Sequence, residues 1–338
     1  MKLDVFSHIC PRPFHERMER VLPDGGARAR LLYGVPSLHD MDLRFRLMDR
    51  FDDYAQIVCM SGPPIESMGG PALACDLARC ANDEMAELVA RHADRFPGFV
   101  AALPMNDGDG LMREAERAVR DLGAVGVQVY THVLGHPLTS PRTVGLFGLM
   151  AALDLPIWLH PEREASHADY TAESRSHYEI WFALGWPHET SVAMAHIGLS
   201  GLFDRYPGLK VIAHQMGGTI PYLEGRVTNV WERLGARTPE EDYSSLRRAM
   251  TKRPVDYFRM FHADTVGAIG QPAIECCLDF FGPRNMLFAT DAPFGPEQGA
   301  GYIRSAIAAV EGLALTDGQR QDIFEGNARR LLKLGVKE

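Results

Sequence analysis

The segment LKVIAH (209–214) is a short apolar run, typical of a buried β-strand, that ends on a histidine. Three other apolar runs also end on a histidine or an aspartate: KLDVFSH (2–8), LPIWLH (155–160) and MLFATD (286–291). The four terminal residues of these runs are His8, His160, His214 and Asp291. Imidazoles and a carboxylate at the ends of strands far apart in the chain are what a metal site at the mouth of a (β/α)8 barrel requires.

Four further apolar runs bring the number of predicted strands to eight. They cover residues 55–60, 98–103, 125–130 and 257–263. Helical patterns separate the strands, and a last helix is predicted near 317–334, with Thr316 as N-cap and Gln319 completing a capping box. Strict alternation predicts a parallel sheet, and eight units predict a closed TIM barrel. An open, doubly wound sheet is the second choice, because no glycine-rich phosphate loop follows the first strand.

We expect a single (β/α)8-barrel domain over residues 1–338, a length that is common for such barrels. Three insertions interrupt the alternation, at about 9–40, 161–188 and 236–254. The first two directly follow strands one and five, so we expect them to form a lid or a pocket wall on the catalytic face. A dimerisation surface is a nearly equal interpretation and does not exclude a lid.

Composition narrows the class of protein. The chain is 46% hydrophobic and 23% charged, which is ordinary for a globular protein, and its net charge of −9 argues against nucleic acid as a partner. No apolar run approaches the roughly 20 residues that span a bilayer, and no signal segment opens the chain. The six cysteines show no CxxC spacing, which favours free thiols and a cytoplasmic protein.

The predicted strand ends suit a metal ion. Because side chains alternate across a strand, Asp4, Phe6 and His8 are expected to point together into the barrel. A lone histidine at a strand end is more often a hydrogen-bonded core residue than a ligand, but three of them with Asp291 favour a metal site. Neutral imidazoles with one carboxylate suit Zn²⁺ as the first choice, and Fe²⁺ or Mn²⁺ as alternatives.

A set of motifs along nearly the whole chain makes it similar to a known family. These are DVFSHICP (4–11), LRFRLMD (43–49), ARCANDEMAELV (78–89), GVQVYTHV (126–133), IWLHPE (157–162), GWPHETSVA (185–193), KVIAHQMGG (210–218), LFATDAPFGPE (287–297) and GNARRLL (326–332). Together they resemble the metal-dependent decarboxylase branch of the amidohydrolase superfamily, typified by 2-amino-3-carboxymuconate-6-semialdehyde decarboxylase.

The resemblance implies roles for individual residues. His8, His160 and Asp291 match metal ligands of that family, and His214 matches its catalytic histidine near the metal. Arg44 and Arg226 match arginines that hold the substrate carboxylate, the second reaching in from a partner subunit. The resemblance therefore also implies a homodimer or a higher oligomer.

One departure from the family concerns the first ligand. The family opens with His-x-His or Glu-x-His, whereas this chain has Phe6 there, and phenylalanine cannot coordinate a metal. His262 is a candidate replacement, with a hydrogen-bonding role as an equal alternative. His132 is expected to line the pocket, and Trp181 to contact an apolar or planar group of the substrate.

Three functions remain open on the sequence. The first is a metal-dependent decarboxylase of a small aromatic or dienoic carboxylic acid, with His214 and Asp291 as catalytic residues. The second is a hydrolase or hydratase of a related acid or lactone that uses metal-bound hydroxide. The third is a subunit whose metal chemistry is altered by Phe6, working with a paralogue in a hetero-oligomer or binding iron for oxygen chemistry.

Overall fold

Eight parallel strands lie at the centre of the molecule, whose computed structural model describes residues 1–22, 32, 34–238 and 240–335. We number these strands in chain order: β1 Lys2–Ile9, β2 Tyr54–Met60, β3 Gly98–Val100, β4 Val127–Tyr130, β5 Ile157–His160, β6 Val211–Ala213, β7 His262–Asp264 and β8 Met286–Leu287. Each strand pairs in parallel with the next one along the chain, apart from a single-residue bridge between β3 and β4 at Ala101 and Val127.

The sheet closes on itself where β1 meets the segment that contains β8. The Val5 backbone N–H donates to Phe288 O at 2.9 Å, and Asp291 N–H donates to Phe6 O at 3.1 Å. These hydrogen bonds leave the first and last strands without a free edge, as barrel closure requires. The predicted (β/α)8 barrel is thereby confirmed.

A helix follows each strand on the outside of the barrel. In chain order these helices are Met41–Met48, Pro71–Arg91, Gly108–Arg120, Val144–Leu153, Gly185–Leu199, Glu224–Glu232, Gln271–Phe281 and Ala300–Glu311. Further helices lie at Arg12–Val21, Ile180–Ala183, Leu202–Arg205, Tyr243–Ala249, Pro254–Phe258, Asp317–Gln321 and Asn327–Leu332. No described helix is both long and apolar enough to cross a membrane.

Two predicted elements differ from the structure. The seventh strand begins at His262 and not at residue 257, because Pro254 starts a helix that buries Tyr257 and Phe258. The last helix has the predicted capping box of Thr316 and Gln319, but a π-helical turn at Asp322–Gly326 interrupts it. Both differences come from local backbone preferences inside apolar runs whose periodicity alone is ambiguous.

The barrel interior is packed with side chains and closed at one end. Val5, Ile57, Trp158 and Ile212 belong to one buried cluster, which continues to Leu331 and Leu332 of the last helix. The Trp158 indole N–H donates to Val5 O at 3.0 Å across the interior. The carboxyl ends of the strands form the opposite end of the barrel, and chemistry is expected there.

Strand β1 contains a bulge that the alternation rule does not anticipate. Its pairing with β2 shifts between Asp4 and Ser7, so that Asp4 pairs with Gln56 while His8 pairs with Cys59. Asp4 therefore faces outward, toward the surrounding helices, and the prediction that it shares the inward face of Phe6 and His8 is wrong. An extra residue in one strand reverses the facing of the residues before it.

The three insertions have different structures. The first contains helix Arg12–Val21 and a 3-10 turn at Pro36–Leu38, and its residues 23–31 and 33 lie outside the described residues. The second has no helix or strand from 161 to 179 and directly follows β5. The third includes helix Tyr243–Ala249 on the outside of the barrel. A lid role for the first two stays a prediction.

Candidate functional site

The four polar strand ends lie together at the carboxyl end of the barrel. His8 Nε2 is 2.9 Å from Asp291 Oδ1, and this contact links β1 to the segment that follows β8. The rings of His8 and His160 have centroids 5.7 Å apart, and those of His160 and His214 are 5.3 Å apart and stacked. The structure therefore brings all four predicted residues to one site.

The contact between His8 and Asp291 favours a positive charge on the His8 ring. Although burial opposes the imidazolium, the neighbouring Cys59 and the hydrogen bond to Asp291 outweigh it and raise the pKa of His8 to about 10. Cys59 Sγ lies 3.4 Å from His8 Nδ1, on the other side of the ring, and donates to Ser7 O. A bound metal ion would take the place of the proton between Nε2 and the carboxylate.

His214 is held by a carboxylate that the sequence reasoning missed. Its Nδ1 is 2.7 Å from Asp264 Oδ2, and Asp264 also accepts hydrogen bonds from the backbone N–H groups of Gln215 and Val266. The other ring nitrogen, Nε2, is buried and has no hydrogen-bond partner among the described residues. A histidine held in this way by a carboxylate has a fixed orientation, so Nε2 is available to a ligand.

Phe6 fills the space between the three imidazoles. Its ring centroid is 4.2 Å from that of His214, 5.1 Å from that of His8 and 5.8 Å from that of His160. The side chain is fully buried. It thus occupies the position where the resemblance predicts another metal ligand.

Aromatic side chains form one wall of the site beside His160. The Tyr130 and Trp186 rings contact His160 edge-on, with centroids 5.1 and 5.3 Å away. Trp181 and Phe182 pack against Trp186 at 6.2 and 4.4 Å. Trp181 is therefore one ring further from His160 than predicted for a direct pocket contact, and Trp186 is the nearer indole.

His132 and Arg226 lie in the segments that follow β4 and β6. His132 belongs to a two-residue strand after β4, and its Nδ1 accepts a hydrogen bond from Gly135 N–H at 3.2 Å. Arg226 is exposed on helix Glu224–Glu232. A contact of Arg226 with a partner subunit stays a prediction.

His262 is not part of the cluster. It pairs with Ile212, one layer below the level of His214, and no ring contact or hydrogen bond of its side chain joins it to the other site residues in the described parts of the chain. Burial lowers the pKa of His262 to about 4. The prediction that it replaces the missing ligand fails because its side chain points inward one layer too deep.

Arg44 is far from a substrate position. It is buried between its helix and the outer face of β2, where Nε donates to Gln56 Oε1 at 2.8 Å. Its two terminal nitrogens have no hydrogen-bond partner within the described parts of the chain. Gln56 pairs with Asp4 on the outward face, so the predicted contact of Arg44 with a substrate carboxylate is wrong.

Two buried carboxyl groups near the mouth were also missed. Glu66 lies in the 3-10 turn Ile65–Ser67 that follows β2, and Glu162 follows β5 directly. Burial, together with the nearby Glu162, raises the pKa of Glu66 to about 8. Their sequence signal was weak, because both follow their strands in segments that look like ordinary loops.

The donors at this site fit a divalent metal in part. Among the described residues no group of three or more His, Cys, Asp or Glu side chains is already placed to hold a metal ion. Two observations nevertheless fit such an ion: the facing Nε2 and Oδ1 atoms of His8 and Asp291, and the buried, unpartnered Nε2 of His214. Phe6, which lies among the three imidazoles, adds no donor to this set.

Comparisons with known proteins agree with this geometry. A family model described as amidohydrolase matches residues 37–334. The gamma-resorcylate decarboxylase of Polaromonas sp. is 33% identical over 307 residues, which cover 87% of each chain. A solved 2,6-dihydroxybenzoate decarboxylase, complexed with 2,6-dihydroxybenzoate, superposes with a TM-score of 0.80 at 28% identity and covers 98% of each chain.

A second solved structure carries a metal. It is a dihydroxybenzoic acid decarboxylase from Polaromonas sp. JS666 with bound manganese and the inhibitor 2-nitroresorcinol. It superposes with a TM-score of 0.80 at 28% identity and covers 98% of this chain and 97% of that one. The resemblance inferred from the motifs is confirmed, and the names of these relatives support the predicted reaction class.

Arg44 generates a first prediction. The substitution Arg44→Met should lower the free energy of unfolding by about 3 kcal/mol, because the buried Gln56 Oε1 and the polar groups bonded to Gln56 lose their charged donor. Urea denaturation measures this change. Arg46→Met, on the exposed side of the same helix, is the control and should change stability by less than about 0.5 kcal/mol. A stable Arg44→Met protein with weakened substrate binding would contradict this placement.

A second prediction concerns Glu66 and pH. Its pKa is raised in the folded protein, so the stability it contributes is complete below the ordinary value of 4.5 and is lost as the pH rises toward 8. Glu66→Gln should therefore become progressively more stable than the unmodified protein between pH 4.5 and 8. Unfolding by urea at several pH values measures the difference, with the exposed Glu173→Gln as control. A difference that does not vary with pH would show that Glu66 is ionised throughout.

Proposed function

Since this chain belongs to the amidohydrolase family, we propose that it is a metal-dependent decarboxylase of a small aromatic carboxylic acid. The observation that carries the proposal is the buried, unpartnered Nε2 of His214 beside the facing His8 and Asp291 at the mouth of the barrel. The likeness to the gamma-resorcylate decarboxylase of Polaromonas also supports it.

In such a reaction the bond between the ring and the carboxylate breaks, and its electron pair stays on the ring carbon. Carbon dioxide leaves, and a proton must reach that carbon. His214 Nε2 is suited to deliver or hold the proton, because the hydrogen bond of Nδ1 to Asp264 fixes the orientation of the ring. Asp291, the other predicted catalytic residue, acts in this proposal through the charge of its carboxylate.

His8, Asp291 and His160 would hold the metal. When bound, a divalent cation supplies a positive charge that orients and polarises the oxygens of the substrate. His160 donates its Nδ1 proton to Pro161 O at 2.7 Å, which fixes the tautomer that a ligand needs. Three protein ligands with an open position are a normal arrangement for a catalytic metal.

The metal itself is proposed to be zinc or manganese. Zinc is the choice favoured by the sequence, whereas the dihydroxybenzoic acid decarboxylase of Polaromonas holds manganese. Imidazole and carboxylate ligands without sulfur accommodate both ions. Elemental analysis of protein purified without added metal distinguishes them.

The wall of Tyr130 and Trp186 favours a planar substrate. Both rings contact His160 from the side, so an aromatic acid that binds near His160 would pack against them. The solved relative that superposes with this chain binds 2,6-dihydroxybenzoate, and a hydroxybenzoate of this kind is the substrate class that we propose. His132 and Trp181 would border the same pocket further out.

A dimer is proposed for the active form. Large apolar side chains are exposed on several segments that follow the strands at the mouth: Leu134, Tyr170, Tyr178, Phe182, Leu184, Tyr222 and Ile269. Arg226 lies four residues after Tyr222 and is also exposed. Exposed apolar surface of this kind is typical of a subunit interface, and from there Arg226 would reach the substrate of the neighbouring subunit.

The proposed function predicts a metal-dependent release of carbon dioxide. Protein loaded with Mn²⁺ or Zn²⁺ should convert 2,6-dihydroxybenzoate with one CO₂ per substrate, and removal of the metal with a chelator should abolish this reaction. His160→Ala and Asp291→Ala should each lose the metal, whereas His196→Ala, an exposed site on helix Gly185–Leu199, should keep it. Elemental analysis and CO₂ detection are the measurements.

Two outcomes would contradict this proposal. Turnover of an ester or lactone without CO₂ would favour the hydrolase alternative. A folded protein that takes up no metal would favour the third function, a subunit whose metal chemistry is altered by Phe6.

Phe6 gives a separate prediction. Phe6→His places another imidazole among His8, His160 and His214, so the affinity for the divalent metal should rise by about tenfold or more. Competition with a fluorescent chelator measures the dissociation constant. Phe6→Leu keeps an apolar side chain there and is the control. An unchanged affinity in Phe6→His would mean that the metal does not bind among these rings.

A further inference from the structure

Asp4 is fully buried on the outward face of β1, yet its carboxylate reaches across the line where the barrel closes. One oxygen accepts hydrogen bonds from the backbone N–H groups of Phe6 and Thr290, both at 3.1 Å. The other accepts from the hydroxyl groups of Tyr54, at 2.6 Å, and of Thr290. A single side chain thus binds the first strand, the second strand and the segment that follows the last one.

The contacts of Asp4 continue into a buried polar network. Gln56 Nε2 donates to the Tyr54 hydroxyl at 2.7 Å, and Arg44 Nε donates to Gln56 Oε1 at 2.8 Å. Such a network costs desolvation energy, and an apolar core of the same volume would pack without it. A network of this kind specifies one geometry of the backbone that it binds.

The backbone groups that Asp4 binds lie next to the two proposed ligands. The Phe6 N–H donates to the Asp4 carboxylate, and the Phe6 carbonyl accepts a hydrogen bond from Asp291 N–H at 3.1 Å. The Thr290 hydroxyl accepts from Ala292 N–H at 3.2 Å, and Ala292 O accepts from His8 N–H at 2.6 Å. Of these two backbone links, one passes through Phe6, which Asp4 binds, and the other through Ala292, which donates to Thr290, a second residue that Asp4 binds.

Asp291 also needs this support because of its own conformation. Its φ is +66°, in the left-handed region that residues other than glycine seldom adopt. A residue in that region keeps its conformation only when the surrounding structure determines it. The hydrogen bonds of Asp4 and Thr290 on either side of the β1–β8 contact provide that determination.

We propose that Asp4, together with Thr290, is a positioning residue that sets the distance between His8 Nε2 and Asp291 Oδ1. The inference rests on the proposed function, in which these two atoms hold the metal. Asp4 itself faces away from the barrel interior and acts only through the backbone of β1 and of the residues after β8.

The experiment compares two buried threonines. Thr290→Val removes the hydroxyl that donates to Asp4 and accepts from Ala292, and it keeps the shape of the side chain. Thr143→Val is the matched control, because Thr143 is equally buried and its hydroxyl donates to Leu138 O outside the barrel closure. Free energies of unfolding, metal dissociation constants and metal-free crystal structures are measured for both variants.

We expect both variants to lose stability, but only Thr290→Val to bind the metal about tenfold more weakly. In its metal-free crystal structure, His8 Nε2 and Asp291 Oδ1 should lie beyond hydrogen-bonding distance. Asp4→Asn should have the same effect, and Thr290→Val tests the inference even where Asp4→Asn does not fold. An unchanged contact in Thr290→Val would overturn the positioning role, whereas unmodified protein without metal affinity would overturn the proposed function alone.

Discussion

The hydrogen bonds between β1 and the residues around β8 are the contact on which the site depends. They close the sheet, and in closing it they bring the eighth residue of the chain within 2.9 Å of residue 291. Without this closure neither His8 nor Asp291 would have the other as its partner, because the two side chains face each other across it. The buried carboxylate of Asp4 binds both sides of the same line and so couples the stability of the barrel to the geometry of the site.

The remaining site residues are arranged around that contact in two different ways. His214 has a charged support in Asp264 and an unpartnered nitrogen, so it is prepared for a ligand or a proton. Phe6, in contrast, contributes only apolar contact to the imidazoles around it. The site therefore combines the oriented histidine of a catalyst with fewer donors than the family resemblance implies, and the proposed metal must rely on water or substrate for the rest of its coordination.

Sequence reasoning predicted the barrel and the four strand ends because both follow from periodicity, which is a local property of the chain. It failed where a contact between distant segments decides the outcome. Asp4 lies behind the sheet because a bulge in β1 changes which residues face inward, and no sequence pattern marks it. Arg44 lies there too, because its helix turns the guanidinium toward Gln56 on the outer face of β2. Asp264 and Cys59 were missed as partners of histidines for the same reason: their roles exist only once neighbouring strands are paired.

The last helix places Leu331 and Leu332 in the interior cluster, so side chains close the barrel at the end away from the site. Among the residues that the structure describes, this closed end leaves the carboxyl ends of the strands as the side from which a molecule would reach His214 and leave it. In the proposed reaction, the decarboxylated ring must therefore leave along the path by which the next acid arrives. Sharing this side of the barrel would make the product of the proposed reaction a competitor of the substrate.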